Sequence, residues 1–489
     1  MRSRMRVRSL KAALAGVMMV ASVGVVSAAG PTGTYGSGIA CFNIGAAPAT
    51  ISLIFYQADS SAVALSYTDP TPIPVGASRN YFTPDTPPGL PSPFMGGAVV
   101  NSNQALTCNV NTQVVGSGVG TASNPARAGS SAGVDSTAAS TSLFAAQIMK
   151  AFFGYNSYAA VQNTENSAFN VTITFKDRFG VSYPLATQTV SIPSQSTHIF
   201  YQDSNANLPS NFLGGATITS SGKLAATVAF YNSGASAQTA HFHTYNAMPL
   251  GGAMLLVPRF VRNYYGYNSG LSIQNVGGAA TSVTTTFRFA GNTYVNNSGT
   301  IAPGASYAPY APNISQLAPV DALAVGLRTG SAVIQAAAGG SVVAIVNEDN
   351  RGTCNSASCP PIPTEQIGFG STYNAFLDST QTNTVLFAQV PRAAGGFFSG
   401  GFQVGNTTGS AGTCSIEYSG APAANESGVP LPANGSFSRF APNVVNLPNG
   451  FNSSVKVICT VAAVGISNFS ARSSTYFGDS FITANGLNQ

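Results

Sequence analysis

The sequence predicts an all-β chain: four tandem immunoglobulin-like antiparallel β-sandwich domains, with almost no helix outside an N-terminal signal peptide. Three observations predict it. A nine-residue phrase recurs four times at domain-sized steps. Alternating runs rich in β-branched and aromatic residues are punctuated by Gly, Pro and Asn at ~8–12-residue spacing, the pattern of short antiparallel strands. No segment carries the sustained 3.6-residue apolar stripe of a helix.

The phrase reads YGSGIACFN from Tyr35 to Asn43, YNSYAAVQN from Tyr155 to Asn163, YNSGLSIQN from Tyr267 to Asn275 and FSGGFQVGN from Phe398 to Asn406. Its starts lie 120, 112 and 131 residues apart. Every copy ends in Asn, which suits a turn leaving a strand. An alternating strand follows, such as Ile51 to Tyr56, Val171 to Phe175 or Val283 to Phe287. Next comes an apolar-Pro turn, as at Ile73-Pro74, Ile192-Pro193, Ile301-Ala302-Pro303 and Leu431-Pro432. Leu-Pro-x-x-Phe then recurs at Leu90, Leu208 and Leu447, with only Leu317-Ala318-Pro319 kept in the third copy. Two more strands close each unit. Repeats 2 to 4 also carry a strand ahead of the phrase, at Leu143 to Lys150, Met254 to Phe260 and Val385 to Arg392. A unit of ~100 residues with about seven strands has the size of an immunoglobulin-like sandwich. A β-helix would need a far shorter period.

The chain opens with a basic stretch, an apolar run from Ala12 to Val26 and the small residues Ser27-Ala28-Ala29, the pattern of a secretory signal peptide. The run is shorter than the ~20 residues of a spanning helix. Cleavage after Ala28 leaves 461 residues with no integral membrane segment. The expected divisions are 1–28 signal peptide, 29–115 repeat 1, 116–142 a Gly/Ser/Ala-rich linker, 143–250 repeat 2, 251–380 repeat 3, 381–476 repeat 4 and 477–489 a tail.

Charged residues are 7% of the chain, against ~25% in an ordinary soluble domain. Several of the positive charges behind the net +5 lie in the leader, so neither nucleic acid nor an anionic membrane is an expected partner. Hydrophobic residues at 44%, with 29 Phe and 19 Tyr, supply a large core and argue against disorder. A weakly charged surface tolerates self-association. The six cysteines fall in sequence-local pairs: Cys41 and Cys108, Cys354 and Cys359, Cys414 and Cys459. An even count in an exported chain reads as disulfides, and no CxxC or neighbouring His supports a metal site.

At these phrases the chain resembles uncharacterised secreted bacterial surface proteins with tandem immunoglobulin-like β-sandwich repeats. Arg262 to Asn275 (RNYYGYNSGLSIQN), Phe152 to Asn163 (FFGYNSYAAVQN) and the Leu-Pro-x-x-Phe element carry the resemblance. It implies export and architecture and transfers no catalytic residue.

Chemistry-bearing residues are sparse. His241 and His243 share a strand face, but no nearby acid or Cys completes a metal site, so a surface or loop pair is expected. Gly129 to Gly133 (GSSAG) matches a nucleophile elbow but falls in the expected linker, without its strand–turn–helix setting. Glu348, Asp349 and Asp177 read as turn or edge charges, and no acidic cluster suits calcium. The recurring Tyr35, Tyr155 and Tyr267 read as repeat core rather than a sugar platform. The expectation is no enzyme, no catalytic residue, no cofactor and no metal.

One comparison between copies points to assembly. The strand ahead of the first phrase would fall near Val23 to Ala29, inside the leader, so cleaved repeat 1 should lack a first strand and expose an edge. Repeats 2 and 3 close on Thr-Tyr-Asn-Ala, at Thr244 and Thr372, and repeat 4 on Thr475-Tyr476, leaving 477–489 unassigned. Within that tail Ser480, Phe481, Ile482 and Thr483 form a candidate assembly strand, donated to repeat 1 of the next molecule. Head-to-tail contacts that do not close build filaments. The expected role is therefore an extracellular structural protein, a subunit of a cell-surface filament, sheath or matrix. Its expected partners are copies of itself or other surface components. The alternative is an adhesin or glycan-binding repeat protein.

Overall fold

The structure is a computed structural model that describes residues 15–18, 29–83, 85–233, 240–352, 362, 366–406 and 408–489. Cys354 and Cys359 lie outside the described residues. Among the described residues the only helical pieces are short 3-10 turns, such as Pro184–Ala186 and Ser315–Ala322. The chain is all-β, as expected.

Repeat 1 contains β1 (Ala15–Met18), β2 (Tyr35–Asn43), β3 (Ile51–Gln57), β4 (Val63–Thr68), β5 (Ser78–Phe82), β6 (Gly96–Ser102), β7 (Leu106–Val114), β8 (Ala126–Ala132) and β9 (Val134–Asp135). Repeat 2 contains β10 (Ser140–Lys150), β11 (Asn156–Asn163), β12 (Phe169–Asp177), β13 (Gln188–Ile192), β14 (Thr197–Tyr201), β15 (Phe212–Ser233) and β16 (Ala240–Asn246). Repeat 3 runs through β17 (Met254–Val261), β18 (Tyr267–Asn275), β19 (Val283–Phe289), β20 (Asn292–Asn297), β21 (Ser306–Tyr307), β22 (Thr329–Ala336), β23 (Val342–Asn350), β24 (Gly370–Asn374) and β25 (Phe376–Leu377). Repeat 4 runs through β26 (Thr382–Arg392), β27 (Phe398–Asn406), β28 (Gly412–Tyr418), β29 (Glu426–Leu431), β30 (Ser436–Phe440), β31 (Phe451–Ala471), β32 (Gly478–Asp479), β33 (Ile482–Asn485) and β34 (Leu487–Asn488).

Each repeat packs two sheets. In repeat 3 they are ordered β20-β19-β22-β17-β25 and β21-β18-β23-β24. Repeat 1 has the same pair, β4-β3-β6-β1-β9 and β5-β2-β7-β8. In repeats 2 and 4 one long strand, β15 or β31, serves both sheets in turn. The alternating burial of β3, β12 and β19 shows one face on the core and one in solvent.

The Asn that ends each phrase builds the corner between the sheets. Its Nδ2 donates to the carbonyl four residues on: Asn43 to Ala47, Asn163 to Ser167, Asn275 to Ala279 and Asn406 to Ser410, at 2.7–2.9 Å. It also donates to the apolar-Pro turn, at Ile73, Ile192, Ile301 and Pro432. Its Oδ1 accepts from the backbone N–H two residues on, closing an Asx turn.

The four repeats close into a ring. Repeat 2 meets repeat 1 where Ser196 Oγ donates to the Gln57 carbonyl at 3.0 Å. Repeat 3 meets repeat 2 where Ser272 Oγ donates to the Ala146 carbonyl at 2.8 Å and Asn347 to Gln147 at 2.7 Å. Repeat 4 meets repeat 3 through Gln403 Nε2 and the Pro258 carbonyl, 2.8 Å. Repeat 1 meets repeat 4 through Asn111 and Gln389, 2.8 Å, and through Ser419 Oγ donating to the Gly76 carbonyl. The closing strands β8, β16, β24 and β33 line the axis. They are buried along nearly their whole length, with no alternation, because neighbouring repeats cover the second face.

Two expected divisions differ from this arrangement. The expected linker 116–142 holds β8, β9 and the start of β10. Its small residues serve close packing: a Cβ on Gly129 would stand 2.9 Å from the Thr244 backbone nitrogen. The tail 477–489 is the closing strand of repeat 4, with β33 on β31 and β34 on β26.

Candidate assembly sites

First strands are deeply buried in repeats 2 to 4. Leu143, Ala145 and Ile148, then Leu255, Val257 and Phe260, then Val385, Phe387 and Val390, all sit in the cores. Each pairs with the corresponding later strand: β10 with the first part of β15, β17 with β22, β26 with the first part of β31. In repeat 1 this place is taken by β1, antiparallel to β6 with Ala15 opposite Asn101 and Met18 opposite Ala98. On its other side β1 pairs with β9. In the uncleaved chain repeat 1 therefore has a first strand, at Ala15–Met18 rather than near Val23 to Ala29, and every residue of it comes from the apolar run of the expected leader.

The phrase itself marks repeat 1 as different. Where a first strand turns into the phrase, a backbone N–H at a positive-φ residue is fixed by the phrase's second side chain. Ala151 donates to Asn156 Oδ1, Asn263 to Asn268 Oδ1 and Ala393 to Ser399 Oγ, at 2.8–2.9 Å. The same position in repeat 1 is Gly36, which has no side chain to offer.

The candidate assembly strand is engaged within its own chain. Ser480, Phe481, Ile482 and Thr483 are all buried. Ser480 Oγ accepts from the Ala471 N–H at 3.0 Å, and the Phe481 ring lies 5.4 Å from Tyr267 and 6.5 Å from Phe369. An asparagine ladder joins the closing strands. Asn246 Nδ2 donates to the Ala132 carbonyl, Asn374 Nδ2 to Asn246 and Asn485 Nδ2 to Asn374, at 2.7–2.8 Å. In return the Asn246 and Asn374 N–H groups donate to Asn374 Oδ1 and Asn485 Oδ1. The true counterpart of Thr244 and Thr372 is thus Thr483, not Thr475. Between repeats 1 and 4 the ladder is replaced by a parallel pairing of β32 with β8.

His241 and His243 are buried at this axis, not on the surface as expected. His241 Nε2 donates to the Gly368 carbonyl at 2.6 Å while Nδ1 accepts from Tyr155 Oη at 2.7 Å. His243 Nε2 lies 3.1 Å from Asp479 Oδ2. Asp479 Oδ1 accepts from the Gly370 and Phe481 N–H groups. Burial pushes the Asp479 carboxyl up to about 8 and the His243 ring down to about 4. Glu348, expected as an edge charge, is buried and paired with Arg259 at 2.6 Å. Tyr35 and Tyr267 are core residues, as expected, and Tyr155 is half-buried against His241.

Two disulfides lie within single sheets. Cys41–Cys108 links opposite residues of β2 and β7, and Cys414–Cys459 opposite residues of β28 and β31. Among the described residues no group of His, Cys, Asp and Glu is placed to hold a metal ion, and no helix is long and apolar enough to cross a membrane.

No protein-family model and no curated protein matches the chain. Among solved structures, a Thermotoga maritima protein (1070) is 16% identical, covering 26% of this chain and 96% of its own, with a TM-score of 0.19. A tetra-tandem repeat from the extending region of a large adhesion protein is 11% identical, covering 92% and 95%, with a TM-score of 0.12. The pilus backbone of Streptococcus pneumoniae is 11% identical over 55% and 80%, with a TM-score of 0.13.

Proposed function

We propose that the protein is a non-enzymatic extracellular structural protein, the subunit of a cell-surface filament, sheath or matrix. One observation carries the reading: the first strand of repeat 1 comes wholly from the expected leader. Gly36 supports it, because the mature repeat has no first-strand corner to hold. Cleavage after Ala28 would open a slot along Ala98 to Asn101, whose Ala98 and Val100 face the core of repeat 1. An open edge of this kind pairs with a donated strand. A second copy supplies that strand, building a head-to-tail polymer at the cell surface. Ser480 to Thr483 is the donor the sequence offers, and only the short β34 follows it, which must come off β26 with it. It must then leave its seat on β31. Glu348 and Asp321 are held in ion pairs with Arg259 and Arg262, which fits a structural role for both.

The test is electron microscopy of the secreted protein, beside a chain ending at Tyr476. Filaments in the wild type that disappear in the truncated chain support tail donation. Filaments in both leave the polymer but remove the tail as donor. Particles of single-subunit size in both contradict the structural role.

A surface adhesin or glycan-binding repeat protein is the second reading. It is favoured by the twin aromatics at the first-strand corners, where Phe153 is 83% and Tyr265 40% exposed. Retention on a glycan array, lost in Phe153→Ala with Tyr265→Ala, would distinguish it.

A further inference from the structure

We propose that the seam between repeats 4 and 1 is a binding site for a neutral sugar residue. A cleft of about 220 Å³ lies there, formed by β2, β5 and β7 of repeat 1 against β26, β27 and β31 of repeat 4. Its volume falls below the ~300–1,000 Å³ of sites for drug-sized ligands, and so suits one small polar molecule.

Its polar groups are carboxamides: Asn80, Asn111, Gln113, Gln389 and Asn452. Three of them form a chain, Asn111 Nδ2 to Gln389 Oε1 at 2.8 Å and Gln389 Nε2 to Asn452 Oδ1 at 2.9 Å. Phe82, Phe398 and Phe469 supply ring surface beside them. Among the described residues no charged side chain lines the cleft. Carboxamides both donate and accept, which is what vicinal hydroxyls require, and aromatic rings cover the C–H faces of a pyranose. An ionic ligand would find no counter-charge.

The matching place between repeats 2 and 3 is filled. There Tyr155 and Tyr310 stand where the seam has Phe398 and Phe82, and Asp349 stands where it has Gln113. Tyr310 Oη donates to Asp349 at 2.8 Å, Arg351 pairs with Asp349 at 2.6 Å, and Tyr155 bonds His241. Hydroxyls and an ion pair plug that interface. At the seam the loss of both hydroxyls and of the charge leaves space lined by unionised groups. Ile482 of β33 also lines the cleft, so the site belongs to a subunit whose own tail is seated, as in a monomer, and does not rest on the polymerisation reading.

The experiment is saturation-transfer NMR of the intact secreted protein with glucose, galactose, mannose and N-acetylglucosamine, with glucuronate as the charged control. Saturable transfer to at least one neutral sugar is expected, with none to glucuronate. Gly38 has room for a side chain, its nearest neighbour being Phe82 at 3.8 Å, so Gly38→Val fills the cleft without breaking a hydrogen bond. It should abolish binding at unchanged melting temperature, while Gln389→Ala weakens binding about tenfold, the loss of one well-placed polar contact. Absence of transfer from all four sugars overturns the proposal. So does transfer that survives in a folded Gly38→Val, or equal transfer to glucuronate.

Discussion

His243 Nε2 and Asp479 Oδ2 lie 3.1 Å apart at the ring axis, with neither residue exposed to solvent. The pair ties repeat 2 to the C-terminal strand and makes stability depend on pH. Folded, it holds one proton between about 4, where the His243 ring titrates, and about 8, where the Asp479 carboxyl does. Unfolded, the same groups return to 6.5 and 3.8. Between 3.8 and 6.5 both states hold one proton, so the pair adds no slope there, while the neighbouring His241, lowered by burial, costs stability as pH falls below 6.5. Above 6.5 the unfolded pair has lost its proton while the folded pair keeps it. Stability therefore falls as pH rises towards 8, by on the order of 1 kcal/mol per pH unit. Melting temperature measured from pH 5 to 9 should show this decline, and Asp479→Asn should flatten it.

Phe481 should matter far more than its place near the end of the chain suggests. Its ring fills a small core with Tyr267, Val261 and Phe369. Phe481→Ala should cost about 3–5 kcal/mol in denaturant unfolding, the range for emptying a buried aromatic site. Leu487→Ala, at a partly exposed position on β34, should stay within about 0.5 kcal/mol. Equal small effects at both would mean the tail is not seated as described.

The corner asparagines should be nearly irreplaceable. Asn275 makes two donor bonds and accepts one while fully buried. Asn275→Ala leaves the Ile301 and Ala279 carbonyls short of a partner, which should cost about 1–3 kcal/mol. Asn275→Asp should be no better, since a carboxylate cannot donate to those carbonyls. Chemical denaturation of both variants measures this.

Reduction should weaken the first and last repeats selectively. The two disulfides close loops with sequence separations of 67 and 45. Each should contribute about 2–4 kcal/mol through the unfolded chain. Hydrogen exchange with and without reductant should show faster opening in β2, β7, β28 and β31, and little change in repeat 2.

The repeats, the strand-rich class and these two disulfides were legible because local period and spacing encode them. Ring closure was not, since it arises between repeats and leaves no local signature. The closing strand β8 read as a linker because Ala128, Gly129 and Ser130 are small. Small residues suit both a flexible segment and a close-packed axis, and only the neighbours decide. The tail read as spare because Thr475-Tyr476 imitates Thr244-Tyr245. The better signal was Thr-x-Asn, shared by Thr244 to Asn246, Thr372 to Asn374 and Thr483 to Asn485. It would have placed the ladder residues in register. The two histidines read as a surface pair because their partners are distant in sequence: Asp479 lies 236 residues from His243, and Gly368 127 from His241.

The emptied first-strand slot is the central claim, and sedimentation velocity of the secreted protein beginning at Ala29 tests it most directly. The account predicts a ladder of polymers that shortens when a synthetic peptide of residues 12–26 is added, because the peptide fills the slot along Ala98 to Asn101. A single monomer boundary that neither shifts nor binds the peptide would contradict it.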